Sequence, residues 1–98
     1  MKLQIHSIHF DADQSLIDFI QAKADKLETF HDRIVDGEVF LRINNTGIEN
    51  KTVEIKLNLP GNQLFAKEKA KSFVEATDMC TVALRRQLRK IKVKQMAH

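Results

Sequence analysis

A chain of 98 residues is long enough for one hydrophobic core and too short for two. Hydrophobic residues make up 43% and charged residues 30%, proportions of a globular protein, and no run reaches the ~18 apolar residues of a membrane-crossing helix. The net charge of +3 conceals a division: residues 1–64 carry 7 Lys/Arg against 10 Asp/Glu, residues 65–98 carry 9 against 3. Positive charge gathered at one end suits a polyanion, either nucleic acid or an acidic membrane surface.

In chain order, Lys2–Ile8 is expected to be a short strand with Leu3 and Ile5 facing one way. The N-terminal stretch is too mixed in polarity for a signal peptide, which points to the cytoplasm. Asp13 is a good N-cap for a helix running to about His31, and Leu16, Ile17, Ile20, Ala24 and Leu27 recur at helical spacing along its buried side. Lys23 and Lys26 lie off that side. From Ile34 the period becomes two: Val39, Leu41 and Ile43 face inward, alternating with Glu38, Phe40 and Arg42. Asn44-Asn45-Thr46-Gly47 supplies a turn. Thr52–Leu59 alternates again, with Val53, Ile55, Leu57 and Leu59 inward, and Pro60-Gly61-Asn62 reverses the chain. Leu64–Ala70 is the last strand, with Leu64 and Ala66 inward and Phe65, Lys67 and Lys69 outward. An exposed aromatic among lysines suits nucleic acid, although a lone Phe on a sheet face is more often merely tolerated.

Ser72 to Lys94 is a helix opened by the capping-box pair Ser72 and Glu75. At about 100° per residue, Phe73, Thr77, Cys80, Leu84, Leu88 and Ile91 form one apolar stripe. Arg85, Arg89 and Lys92 fall on one side of the opposite arc, with Arg86 and Lys90 further round it. From Met79 onward no Asp or Glu balances the six Lys/Arg. The expected fold is α/β: a two-layer α+β sandwich in the order β-α-β-β-β-α. Its four-stranded mixed sheet carries two helices on one face, and the first two strands are parallel.

Catalytic signals are missing. No P-loop, dinucleotide fingerprint, nucleophile elbow or H-E-x-x-H is present. His6, His9 and Asp11 lack convergent further ligands for a metal. Asp13 is explained by capping. Cys80, alone on the apolar stripe, excludes a disulfide framework and reads as a buried hydrophobe whose pKa should rise. No enzyme, cofactor, metal or small-molecule substrate is expected. A membrane-surface helix would carry aromatic residues at the border of its apolar face, and here that face continues into the stripe the sheet needs.

The element order resembles the hibernation-promoting factor and ribosome-associated inhibitor family, also called sigma-factor modulation proteins. Ala24-Asp25-Lys26-Leu27-Glu28-Thr29-Phe30 is similar to the family's first-helix end, and Asn58-Leu59-Pro60-Gly61 to its hairpin between the third and fourth strands. Leu84-Arg85-Arg86-Gln87-Leu88-Arg89-Lys90 is similar to its L-E-R-Q-L-x-K, with Arg85 standing where Glu is usual. Lys71-Ser72-Phe73-Val74 replaces an acid and a Tyr found in many members, so contacts that depend on those two are not carried over. The resemblance implies a stress-related, stationary-phase protein that binds the small ribosomal subunit in the messenger and transfer RNA channel and keeps idle ribosomes silent. It would compete there with mRNA and tRNA. Residues 1–98 would form a single ribosome-binding domain, similar to the family's short form without a pairing domain. Ribosomal RNA contacts fall to Lys23 and Lys26 on the first helix and Arg86, Arg89, Lys90 and Lys92 on the second, with Arg85 and Lys94 adding charge on the same helix. The competing readings are a generic double-stranded-RNA-binding module and a small α/β-sandwich hydrolase, which would finish on a strand and carry an anion-binding loop.

Overall fold

Alternation and helical spacing resolve into β1 (Lys2–Ser7), α1 (Gln14–Leu27), β2 (Asp36–Ile43), β3 (Lys51–Leu59), β4 (Asn62–Ala70) and α2 (Phe73–Met96). The computed structural model describes residues 1–44 and 47–96, the last five of these as backbone only. Asn45 and Thr46, in the expected turn after β2, therefore lie outside the described residues.

The strands stand in the order β1-β2-β3-β4. The β1–β2 pair is parallel, with Leu3 opposite Gly37 and Ile5 opposite Val39, and the other two pairs are antiparallel. This is the mixed sheet of the β-α-β-β-β-α sandwich. Period two puts Val39, Leu41, Val53, Ile55 and Leu57 on one sheet face, all fully buried. Ile20 and Leu27 of α1 and Cys80, Leu84 and Leu88 of α2 close over them in one cluster. Burying each such side chain contributes about 1.5–3 kcal/mol before chain entropy is opposed. Gly37 is needed inside this layer: a Cβ there would come within 2.9 Å of both Leu3 Cδ1 and Leu57 Cδ2.

Local chemistry sets the ends. Asp13 Oδ1 accepts from Leu16 N at 2.8 Å and from the Ser15 hydroxyl at 2.9 Å, which holds its carboxyl below the usual carboxylate range. His9, with φ 65°, turns the chain from β1 toward α1, and Phe10 then stacks on Phe73 with ring centroids 5.2 Å apart. Helix α1 stops at Leu27, short of the expected His31. Glu28, Thr29 and Phe30 donate instead to the carbonyls of Asp25, Lys26 and Leu27, and the Thr29 hydroxyl adds a second bond to Lys26 O at 2.7 Å. These i→i−3 bonds satisfy the last carbonyls and end the helix.

Pro60 and Gly61 form a two-residue hairpin, Gly61 at φ 72° supplying the positive angle that follows Pro in a type II turn. Ile43 departs from the expected inward alternation. It is 44% exposed, because it ends β2 opposite Lys51 rather than an apolar partner. Of the capping box at α2, the described bonds include the half in which Ser72 Oγ accepts from Glu75 N at 3.1 Å. On the edge strand β4, Gln87 Nε2 donates to Phe65 O at 3.0 Å, tying the middle of α2 to the sheet margin.

Candidate nucleic-acid interface

The two helices lie side by side over the sheet, so the C-terminal half of α1 faces the middle of α2. Stripe geometry then decides where the cations go. With Leu84 and Leu88 buried, Arg85 and Arg89 turn toward α1, while Arg86 and Lys90 turn outward and are exposed. Between the helices runs a groove of ≈ 460 Å³ whose walls include Lys23 and Lys26 from α1 and Arg85 from α2, with Leu27, Phe30 and Val82 as apolar floor.

Phe30 organises this groove. Its ring lies 5.8 Å from the Arg85 guanidinium carbon and 5.6 Å from that of Arg89. Each stacked guanidinium gains about 0.5–1 kcal/mol at an exposed site and is held in place before any ligand arrives. An aromatic three residues after Leu27 reads in sequence as one more core position, so this role was not legible there.

Lys23 and Lys26, which sequence places together, differ in their surroundings. Lys26 is exposed, whereas Lys23 Nζ lies 2.9 Å from Asp78 Oδ1 on α2 and 5.9 Å from the Phe19 ring. Lys23 is thus partly committed to a strut between helices, and Asp78 places one acid in the groove. The other acids of α1's last turns point elsewhere: Asp25 and Glu28 both pair with the Met1 amino group beside β1. That ammonium holds the Asp25 carboxyl below its ordinary range. The face that carries Lys26 is left positive.

The structure therefore brings Lys23, Lys26, Arg85 and Arg89 to one groove and sets Arg86 and Lys90 on the adjoining outer arc. Lys92 and Lys94 continue α2, but their side chains lie outside the described residues. Chemically, such a surface binds rather than reacts. Guanidinium and ammonium groups beside a half-buried ring suit phosphates of folded nucleic acid. Cys80 takes no part: its thiol donates to Val53 O at 3.3 Å, and burial pushes it up to about 12. Among the described residues, no group of His, Cys, Asp and Glu is placed to hold a metal ion, and no helix is long and apolar enough to cross a membrane.

The profile of the family described as Sigma 54 modulation protein / S30EA ribosomal protein matches residues 3–96, nearly the whole chain. The chain belongs to this family. Among its relatives, this family member is 28% identical over 97 residues to the "Ribosome hibernation promoting factor" of Pseudomonas putida, covering 99% of this chain and 92% of that one. It is 27% identical over 95 residues to the "Ribosome hibernation promotion factor" of Deinococcus radiodurans, where the match spans 95% of this chain and 50% of that one. Against the Deinococcus relative, then, the chain spans half the length.

In fold it is similar to a ribosomal subunit interface protein from Coxiella burnetii, with a TM-score of 0.86, 22% identity and coverage of 95% and 99% of the two chains. It is similar also to the N-terminal domain of Thermus thermophilus Protein Y, with a TM-score of 0.82, 18% identity and coverage of 93% and 99%. The β-α-β-β-β-α sandwich of this family member is that of these neighbours.

Proposed function

We propose that this protein is a cytoplasmic ribosome hibernation factor that binds the small ribosomal subunit in the mRNA and tRNA channel and inhibits translation by occupancy, without catalysis. The observation that carries the reading is the inter-helix groove, with Arg85 and Arg89 set over Phe30 beside Lys26. In this family the relatives' names speak of ribosome hibernation and of a ribosomal subunit interface.

The mechanism follows from shape and charge. With a radius of gyration of 13.8 Å, the folded domain can occupy a channel that otherwise holds a single strand and transfer-RNA stems. Lys26, Arg85, Arg86, Arg89 and Lys90 compete for ribosomal RNA phosphates along its walls. Lys23, Lys92 and Lys94 extend the same face. Neutralising those phosphates releases counterions, which supplies sequence-independent affinity. Inhibition then needs only that the channel be filled.

The test adds purified protein to vacant ribosomes and to ribosomes already carrying messenger and initiator transfer RNA, then measures co-sedimentation and translation. Vacant ribosomes should bind and fall silent, while initiated ones should resist. Equal binding to both would sink the competition mechanism.

A further inference from the structure

The sheet face turned away from the helices carries a second set of groups that neither the core nor the inter-helix groove uses. Strand register places His6, Phe40, Glu54 and Lys67 in one row across the sheet, and Glu38, Lys56 and Phe65 in the next. His6 and Phe40 are stacked, with centroids 4.9 Å apart and planes within 19°. Lys56 Nζ lies 5.4 Å from the Phe40 centroid and the Arg42 guanidinium carbon 5.7 Å from it. Phe65, on the edge strand, is 46% exposed.

Beside Phe40 the surface dips into a depression of ≈ 450 Å³ whose rim holds Arg42, Lys67 and Lys69. Two acids, Glu54 and Glu68, also line it, but Glu54 is already paired with Arg42 and with Lys67 at 3.8 Å. The rim is left positive. Packing does not explain the rings, because the apolar core lies on the opposite face. Aromatic rings interleaved with cations on an open sheet are what an unpaired nucleotide needs: a π-face for the base and ammonium or guanidinium groups for its phosphate. A duplex, with its bases already stacked, cannot use the rings.

We propose that the helix-free face of the sheet is a second nucleic-acid surface, one that takes unpaired RNA. Bases stack on the His6–Phe40 pair and on Phe65, and phosphates sit against Lys56, Lys67 and Lys69. This stands apart from the inter-helix groove. The two surfaces lie on opposite sides of the domain, so one molecule can be held by folded RNA on its helices and by a loose strand on its sheet.

The experiment uses the full chain with a fluorescent ten-nucleotide oligoadenylate, followed by anisotropy, and F40L and F65L variants that keep apolar volume but remove the π-face. Each substitution should weaken binding by about 5- to 100-fold, the range for one base–aromatic stack. A ten-nucleotide abasic strand, with the same phosphates and no bases, should bind the wild type and both variants equally weakly. Photo-crosslinking of the wild-type complex should place adducts on β1, β2 and β4, which gives a reading even if a variant fails to fold. The proposal is overturned if the variants bind as the wild type does, if the abasic strand binds as well as oligoadenylate, or if crosslinks fall only on α1 and α2.

Discussion

Replacing Arg86, Arg89 and Lys90 together by Glu tests the helix surface where it is most exposed. All three lie off the buried Leu84–Leu88 stripe and are exposed, and Glu is about as good a helix former as Arg or Lys. Only Arg89 leaves a contact, its place over Phe30, worth about 0.5–1 kcal/mol. The fold should therefore survive, with a slightly lower melting temperature. Binding should not. Five cations on this face, Lys26, Arg85, Arg86, Arg89 and Lys90, have no ion pair among the described residues. If all reach phosphates, log K should fall against log salt with a slope of about −4, from about 0.7–0.9 per contact. Raising salt from about 50 to about 200 mM would then weaken binding roughly 250-fold. The triple variant keeps two of the five, so its slope should flatten to about −1.5, and losing three contacts at about 0.1 M salt should cost roughly 250-fold in affinity before any repulsion is added. Co-sedimentation with small ribosomal subunits across a salt series measures both quantities, and circular dichroism checks the fold. A variant that stays folded and keeps the wild-type slope would refute the assignment of these three side chains.

Leu88→Ala should do the reverse, losing about 2–5 kcal/mol through the cavity left by a fully buried side chain; urea unfolding measures this, and RNA affinity should fall only with the folded fraction. Asp78→Asn removes an acid from the groove and releases Lys23. Because both partners are partly exposed, stability should change by no more than about 1 kcal/mol, while co-sedimentation should tighten; weaker binding would show that the strut matters more than the charge. The Cys80 thiol should resist iodoacetamide at pH 8 in the native protein and react on unfolding, since burial has pushed it up to about 12. In the unfolded chain that thiol ionises from about 9.0, so above that pH the unfolded state holds fewer protons and stability should decline through this group. Urea midpoints compared with Cys80→Ala at pH 8 and 10 isolate the effect; identical pH dependence in the two proteins would exclude it.

The strands were legible because period two survives in every one of them: Val39 and Leu41, Val53 through Leu59, and Leu64 and Ala66 face inward as their spacing requires. The stripe of α2 was legible for the same reason at helical period. Ile43 was misjudged because alternation records direction and not where the helical cover ends. The end of α1 was misjudged because the i→i−3 turn at Glu28–Phe30 and the Thr29 hydroxyl compete with helix on terms that propensity does not contain. For the helix surface, helical geometry separated Arg85 and Arg89 from Arg86 and Lys90 before any coordinates. What sequence could not supply was pairing between helices. The Lys23–Asp78 strut and the Phe30 seat for two arginines join residues far apart in the chain, and they exist only once both helices are docked.

The bond from Gln87 to the carbonyl of Phe65 bears on how copies of this molecule behave in a crowded solution. An edge strand with open backbone groups is a template on which another chain can build, and β4 is such an edge, nine residues long. Gln87 fills one acceptor on it from above, while Lys67 and Lys69 stand on the strand itself as like charges that a parallel or antiparallel copy would have to approach. The helix that bears the cations thus also guards the sheet against growing. A substitution such as Gln87→Leu, silent for charge and neutral for the buried stripe, would expose that carbonyl beside a new apolar side chain and shift the hazard from lost binding to aggregation.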